Sequence, residues 1–487
     1  MMEQQHLPPN QQERFKQLIT DRIGLFFSPP RHSALVRGVL SGAAQSCCQD
    51  MESYYRLLHQ SRTDSEIWDA LVSDLTVGET YFFRNPGHFN MLRRKIFPEL
   101  IARHRSDRRL RIWSAGCSTG EEPYSIAILL HQIMPDLADW NIFILATDIN
   151  KAVLAKARKG RYRQRSFRQT DPVVCNPYFE HHGEFFDLKP EIRDMVTFSY
   201  LNLVEPCYPS LATCTNAMDL ILCRNVMIYL PKATAREMST RFYNCLIPEG
   251  WLIIGESEAR ADVFAQFQTR IFPDSSAYQK TALPRQAEPF IPTEPRVAAN
   301  LKVLPPAPVL PEIVQRFEEP AKKPDEPLTD FEKGIRLLEQ GWYDEAIQCF
   351  SGRVEKDPDF APACYQLGRA HANLGRLQEA RLWFEKALEK DPLMAEAHFT
   401  LAMVCREAGN PEDAQQQFKK ALYLEPGFAL AHIGLAQLLQ DAGRIKDAQR
   451  HKFHAARLVK KLSLDERVQG SDGLSAARLL SMIHAMK

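Results

Sequence analysis

The chain has 487 residues, 45% of them hydrophobic and 25% charged, with 61 lysines and arginines against 60 aspartates and glutamates. This length predicts about three domains. The balanced charge argues against a protein held to nucleic acid or lipid by bulk charge, and no apolar run is long enough to span a membrane. The eleven cysteines are scattered, and no secretory signal is visible. We therefore expect reduced thiols in a cytoplasmic protein.

The first part of the chain predicts helices. Apolar residues recur at spacings of three and four in 33–39 and in 50–59, which is the pattern of amphipathic helices. Strand-like alternation is scarce in this part of the chain. We assign residues 1–75 to an all-α N-terminal domain.

From Leu110 onward, short apolar runs alternate with helical stretches. The predicted strands are 111–115, 142–147, 196–200, 220–223 and 251–255, and the predicted helices are 125–131, 153–158 and 233–246. Alternation of strands and helices predicts a parallel α/β sheet with helical crossovers. We place this domain at residues 76–280, with 161–199 inserted between the second and third strands.

The last part of the chain is repetitive and follows a proline-rich segment. Eleven prolines and no glycine lie between Ala282 and Pro327, a composition typical of a semi-rigid spacer. We assign 281–327 as a linker between parts that fold independently. Beyond it, glycine recurs every 34 residues at 341, 375, 409 and 443, with alanine, phenylalanine and proline in step. This period resembles the tetratricopeptide repeat, so 328–461 predict an α-solenoid and 462–487 a helical tail.

A turn of small residues follows the first predicted strand. Residues 116–120 read Gly-Cys-Ser-Thr-Gly, which matches neither the dinucleotide-binding glycine pattern nor a phosphate-binding loop. The second strand ends at Asp148, where an acidic side chain is placed to bind ribose hydroxyls. The pair indicates a nucleoside ligand without phosphate, such as S-adenosylmethionine. A methyltransferase and a purely structural turn both remain open from these residues alone.

Residues 11–280 resemble the CheR family of chemotaxis methyltransferases, which transfer a methyl group from S-adenosyl-L-methionine to glutamate side chains of chemoreceptors. The matching motifs are 78–84 (Gly-Glu-Thr-Tyr-Phe-Phe-Arg), 113–124, 146–149 (Ala-Thr-Asp-Ile), 202–203 (Asn-Leu), 223–229 (Cys-Arg-Asn-Val-Met-Ile-Tyr) and 255–258 (Gly-Glu-Ser-Glu). The resemblance implies an α/β, Rossmann-like methyltransferase fold with a small β-subdomain in the insertion. Repeats after a proline-rich linker are similar to Wsp-like variants of the family.

The resemblance also implies roles for single residues, and it implies no metal site. The expected cofactor-binding residues are Gly78, Thr80, Arg84, Gly116, Glu121, Asp148, Asn202, Leu203, Cys223, Arg224 and Asn225. The residues expected to meet the acceptor are Arg84, Arg224 and Tyr229. Family members often have Asn in place of Gly78, a difference that predicts looser cofactor binding. A glutamate carboxylate is already ionised at neutral pH, so we predict no catalytic base.

The expected partners are proteins. They are the cytoplasmic helical bundle of a methyl-accepting chemoreceptor and a further protein bound by the repeats. Segment 84–111 contains nine lysines and arginines and two acids. This excess of positive charge fits either a receptor-facing electropositive surface or a solvated helix and loop. Two rival functions remain: a catalytically weak scaffold whose repeats assemble a signalling complex, and a methyltransferase acting on a small carboxylate.

Overall fold

The computed structural model describes residues 7–63, 65–170, 176–273, 275–281, 329–463, 466–471 and 474–485. The predicted linker at 281–327 lies outside these residues, apart from Thr281. Among the helices that are described, none combines the length and the hydropathy that a membrane span requires.

Four helices around one apolar core form the N-terminal domain. They are α1 (Pro9–Ile23), α2 (His32–Gln45), α3 (Met51–Gln60) and α4 (Glu66–Leu75). Asp50 begins α3, because its side chain accepts a hydrogen bond from the backbone amide of Ser53 at 2.7 Å. Tyr54 and Trp68 are fully buried in the core. The predicted all-α domain is confirmed.

Ten strands are present in the described chain, in two sheets. They are β1 (Arg109–Ala115), β2 (Asn141–Asp148), β3 (Arg161–Arg163), β4 (Phe179–His182), β5 (Phe185–Leu188), β6 (Val196–Tyr200), β7 (Met218–Cys223), β8 (Leu246–Ile254), β9 (Gln268–Phe272) and β10 (Ser275–Gln279). The main sheet has the order β6-β2-β1-β7-β8-β10-β9. Its first five strands are parallel, β10 runs antiparallel to β8, and β9 pairs antiparallel with β10. The order reverses between β1 and β7, which places a ligand crevice at the carboxyl ends of these strands.

Helices cover both faces of the main sheet. They are α5 (Pro86–Met91), α6 (Phe97–Arg103), α7 (Glu121–Ile133), α8 (Lys151–Lys159), α9 (Pro190–Arg193) and α10 (Lys232–Cys245). Neighbouring strand residues point to opposite faces. Ile112 and Ile144 therefore join the core beneath α7, and Trp113 and Leu145 join the core beneath α10. Burial on both faces explains the continuous apolar runs in the sequence.

The insertion forms a small antiparallel sheet of order β3-β5-β4. The β insert expected from the resemblance is thus present, but β6 pairs with β2 in the main sheet. The insertion therefore ends before Val196, earlier than predicted. The ring of Phe82 contacts Phe167 at 5.0 Å and Tyr162 at 4.9 Å between ring centroids. These contacts tie the insertion to the 78–84 motif.

The C-terminal part is a helical solenoid. Its helices are α11 (Asp330–Glu339), α12 (Tyr343–Lys356), α13 (Ala361–Asn373), α14 (Leu377–Lys390), α15 (Ala395–Glu407), α16 (Pro411–Leu424), α17 (Ala429–Asp441), α18 (Ile445–Val459) and α19 (Ala476–Ala485). The four periodic glycines follow the first helix of each pair with φ between +72° and +80°, a backbone conformation that favours glycine. The predicted repeat fold is confirmed.

The repeats pack against the sheet domain, whereas the sequence predicted two parts that fold independently. Side-chain donors of the sheet domain reach carbonyls at the ends of α11, α13 and α15. The bonds are Asn244 Nδ2 to Gln340 O at 3.0 Å, Arg109 Nη2 to Gly375 O at 3.1 Å and Asn141 Nδ2 to Glu407 O at 3.1 Å. Carbonyls at helix C-termini lack partners within the helix and carry partial negative charge. The docking therefore caps three helices.

A buried ion pair and an apolar residue complete this contact. Arg111 Nη1 lies 3.4 Å from Glu407 Oε1, and both side chains are about 95% buried. Leu211, in the loop before β7, is buried within the apolar core of the repeats. Asn216 Nδ2 donates to Ala372 O at 3.3 Å. On the repeat side these contacts come from the first helices, the turns after them and the shared core.

Candidate active site

A cavity lies between the helical domain and the carboxyl ends of β1, β2 and β7. The helical domain and the 76–81 segment form one wall, and the loops after the three strands form the other. The predicted site residues on its lining are Gly78, Thr80, Arg84, Gly116, Asp148, Asn202, Leu203, Arg224, Asn225 and Tyr229. The structure thus brings together ten of the residues named from the sequence.

The small-residue turn and Asp148 are in direct contact. Ser118 N donates to Asp148 Oδ2 at 2.8 Å, and Asn150 N donates to Oδ1 at 2.9 Å. Burial raises the pKa of Asp148, while these amide hydrogen bonds oppose the rise. Gly116 has φ +83°, and a Cβ atom there would collide with Val226. The turn therefore needs glycine and fixes the carboxylate in place.

Arg224 is held by the protein around it. Its Nη1 lies 3.1 Å from Glu122 Oε2, and its Nη2 donates to the backbone carbonyl of Arg84. Ser114 Oγ donates to the other Glu122 oxygen at 2.7 Å. Burial lowers the pKa of Arg224, and the neighbouring Glu122 opposes this shift. The guanidinium is therefore held by Glu122 and the Arg84 carbonyl, while its buried Nε has no hydrogen-bond partner among the described residues.

Arg84 lies on the cavity lining without a carboxylate partner among the described residues. Its Nη1 donates to the carbonyl of Glu79 at 2.8 Å, and it forms no ion pair within the described chain. Arg31, from the helical domain, lines the same cavity and lies 4.4 Å above the ring of Tyr229. Two guanidinium groups and a phenol thus line the same cavity.

Two predicted residues do not line the cavity. Glu121 points into the protein, where it accepts hydrogen bonds from Thr119 Oγ1 at 2.7 Å and Ser166 Oγ at 3.0 Å. Burial raises the pKa of Glu121. Its neighbour Glu122 lines the cavity instead. Cys223 is fully buried in the core beneath α10, because the last residues of a central strand face the core before the loop begins.

Sequence reasoning gave no role to Glu258, which organises the loop after β7. Glu258 is 4% exposed. Its Oε2 accepts hydrogen bonds from Asn225 N at 2.6 Å and Gly255 N at 2.8 Å, and its Oε1 accepts one from Ile228 N at 3.2 Å. The 255–258 motif contained this residue, but nothing local in the sequence connects it to 225–228.

Strained backbone marks the same region. Phe83, Asn85, Ser118 and Asn225 are non-glycine residues with φ between +51° and +61°. Such conformations cost free energy and persist where the surrounding structure enforces them, often at binding sites. Phe83, Ser118 and Asn225 belong to motifs that the sequence singled out, and Asn85 directly follows one of them.

Comparison with known proteins follows the same division of the chain. Residues 78–272 match the family model "CheR methyltransferase, SAM binding domain", and residues 331–395, 383–416 and 406–451 match tetratricopeptide repeat models. Chemotaxis protein methyltransferase 2 of Vibrio cholerae is 32% identical over 268 residues, which are 55% of this chain and 91% of the relative. The chain belongs to the CheR methyltransferase family.

Two further relatives of this CheR methyltransferase extend the comparison. The chemotaxis protein methyltransferase of Escherichia coli is 34% identical over 262 residues, 53% of this chain and 87% of the relative. The probable biofilm formation methyltransferase WspC of Pseudomonas aeruginosa is 30% identical over 368 residues, 73% of this chain and 85% of the relative. This last match is longer than the part before the linker, so the similarity continues beyond the catalytic domain.

The site of this CheR methyltransferase fits S-adenosylmethionine. The fixed carboxylate of Asp148 is a group of the kind that binds ribose hydroxyls, and Gly116 lines the cavity beside it. Leu25, Leu203 and Val204 supply apolar walls. The enzyme is therefore an S-adenosylmethionine-dependent methyltransferase.

Proposed function

We propose that this enzyme methylates glutamate side chains in the cytoplasmic helical bundle of chemoreceptors, forming methyl esters that serve signalling and adaptation. The observation that carries the proposal is Arg84, a guanidinium on the active-site cavity without a carboxylate partner in the described chain. Such a group is suited to receive an acidic side chain by a charge-assisted hydrogen bond. The names of the chemotaxis relatives support the same substrate class.

The chain's own residues bind and orient the reactants. Bound S-adenosylmethionine supplies an electrophilic methyl group on a sulfonium. Asp148 accepts hydrogen bonds from ribose hydroxyls, and Leu25 and Leu203 exclude water from the reacting atoms. Arg84 aligns the incoming carboxylate for in-line attack, and alignment is where most of the rate gain lies. No residue needs to remove a proton, because the carboxylate is ionised at neutral pH.

Tyr229 and Arg31 complete the acceptor side of the proposal. The phenol of Tyr229 faces the cavity beneath the guanidinium of Arg31. This pairing keeps the ring in one orientation, so that the phenol can donate a hydrogen bond to the substrate carboxylate. We assign Arg224 a positioning role, since Glu122 already neutralises it.

Transfer of labelled methyl to membranes containing a candidate receptor tests the proposal. The expected product is a base-labile ester that releases methanol in alkali. Arg84→Ala should lower kcat/KM about 10–100-fold while leaving the affinity for S-adenosylhomocysteine within about twofold. Arg94→Ala, at an exposed arginine of the same basic segment, is the matched control. A label stable to alkali would reject glutamate esterification.

The scaffold alternative and the signalling output have separate tests. A chain that fails to bind S-adenosylhomocysteine in a titration would be a scaffold, with the repeats assembling a signalling complex. The partial match to a biofilm formation methyltransferase supports an output in surface attachment. We expect a protein partner on the repeats and a cytoplasmic location, and a pull-down with the full chain from the soluble fraction tests both.

A further inference from the structure

A second cavity lies between the sheet domain and the repeats and has a volume of about 470 Å³. Arg109 and Asn141, the first residues of β1 and β2, line it. It also borders the edge strand β6, and it shares no lining residue with the active-site cavity. Its other wall comes from α15 and α17, the first helices of two repeats. Neither the proposed reaction nor the cofactor uses this space.

The lining carries more positive than negative charge. Five arginines and two carboxylates line the cavity. Arg111 is paired with Glu407, and Arg193 lies 3.3 Å from Asp194. The other three arginines form no ion pair within the described chain. Their hydrogen bonds run from Arg109 to Gly375 O, from Arg158 to Phe198 O and from Arg406 to Gln437 Oε1.

These groups are poorly compensated for their burial. Arg109 Nη1 is buried and has no hydrogen-bond partner among the described residues. Burial lowers the pKa of Arg158. The two oxygens of Glu407 are buried and accept no hydrogen bond in the part of the chain that the structure describes. Burying charged and polar groups without partners costs free energy. An anion that also carries hydrogen-bond donors would pair with the arginines through its charge and with the Glu407 oxygens through its donors.

We propose that this cavity binds a phosphorylated small molecule of about nucleotide size. The planar guanidinium fork matches the oxygens of a phosphate group and binds them in pairs. A volume of about 470 Å³ lies within the usual range for small-molecule sites. The carboxylate of Glu407 accepts N–H or O–H groups from the same ligand. Phe143 and Phe198 provide apolar surface beside it.

The ligand acts on the contact between domains. Arg109 and Arg158 belong to the sheet domain and Arg406 belongs to the repeats, and all three line the cavity, so a ligand that fills it contacts both parts of the chain. Occupancy therefore holds the repeats against the sheet and raises the temperature at which the two separate.

Titration calorimetry of the full chain with ADP and with pyrophosphate tests the proposal. Saturating S-adenosylhomocysteine is present throughout, so the active site is filled. We expect saturable binding at about physiological ionic strength. Arg158→Gln and Arg406→Gln should each weaken it at least tenfold, and Arg450→Gln, at an exposed arginine of α18, should not. Unchanged binding of S-adenosylhomocysteine by each variant shows that it is folded.

Four results would overturn the proposal. They are no binding of either probe to the wild-type chain, equal affinity in all variants, binding that is seen only when S-adenosylhomocysteine is left out, and tighter binding of citrate than of either phosphate probe. None of these outcomes affects the proposed methyl transfer, which is measured separately.

Discussion

Replacement of Glu258 by glutamine tests how the loop after β7 supports the cofactor site. The carboxylate of Glu258 accepts three backbone hydrogen bonds, two on Oε2 and one on Oε1. Glutamine keeps one acceptor oxygen, so Glu258→Gln can retain the bonds to Asn225 and Gly255 while its amide group faces the N–H of Ile228. Leaving one buried donor unsatisfied costs about 1–3 kcal/mol. A loss of 1.4 kcal/mol corresponds to about tenfold in affinity.

Urea unfolding and calorimetry with S-adenosylhomocysteine measure this prediction. We expect Glu258→Gln to lower the free energy of unfolding by about 1–3 kcal/mol and to weaken cofactor binding by about tenfold. Glu256→Gln is the matched control, because Glu256 is exposed and lies two residues away. If both variants have the same stability and affinity, Glu258 does not organise the loop and the reasoning is wrong.

Three further predictions concern other parts of the molecule. Asp148→Asn should raise the Kd for S-adenosylhomocysteine at least tenfold, since the amide would face a backbone donor; unchanged calorimetry would contradict the ribose role. Burial acts to lower the pKa of His104, but its hydrogen bonds to carboxylates, chiefly to Asp219, raise the pKa above 6.5. This stabilisation is complete below about pH 6.5 and is lost as the pH rises through the raised pKa, so urea unfolding should show stability falling over that range and His104→Gln should flatten the fall. Arg111→Leu should cost about 3–5 kcal/mol in urea unfolding, because it leaves the Glu407 carboxylate buried without a cation; adding Glu407→Leu should recover most of the loss.

The part of the site that follows from sheet geometry could be predicted from the sequence. Parallel strands end at one edge, so a glycine turn after β1 and an acidic residue after β2 had to meet. The contact from Ser118 to Asp148 at 2.8 Å follows from this rule. The sequence did not indicate which of the two adjacent glutamates, Glu121 or Glu122, lines the cavity. Successive helical residues differ by about 100° in direction, and the distant Ser166 binds Glu121.

The contact between the domains could not be predicted, because its residues have other interpretations in the sequence. Arg109 and Arg111 stand in the basic 84–111 segment, for which a receptor-facing surface and a solvated helix were both open. The structure gives them a third role in docking the repeats. The residues that Arg109 and Asn141 reach are 266 positions away. No local pattern encodes a pairing at such a distance.

Capping of successive helix ends by the sheet domain limits how the array can change in length. The turns of the first three repeats accept hydrogen bonds from Asn244, Arg109 and Asn141 of the sheet domain. At Gly443, in the turn of the fourth repeat, an added Cβ atom would meet open space. Duplication of an early 34-residue unit would shift every later turn by one repeat along the solenoid. Each shifted turn would then lie away from the sheet-domain side chain that donates to it. Duplication after the fourth unit would leave all three in place. We therefore expect added units to be accepted only after the fourth repeat, provided that α19 keeps its contact with β6.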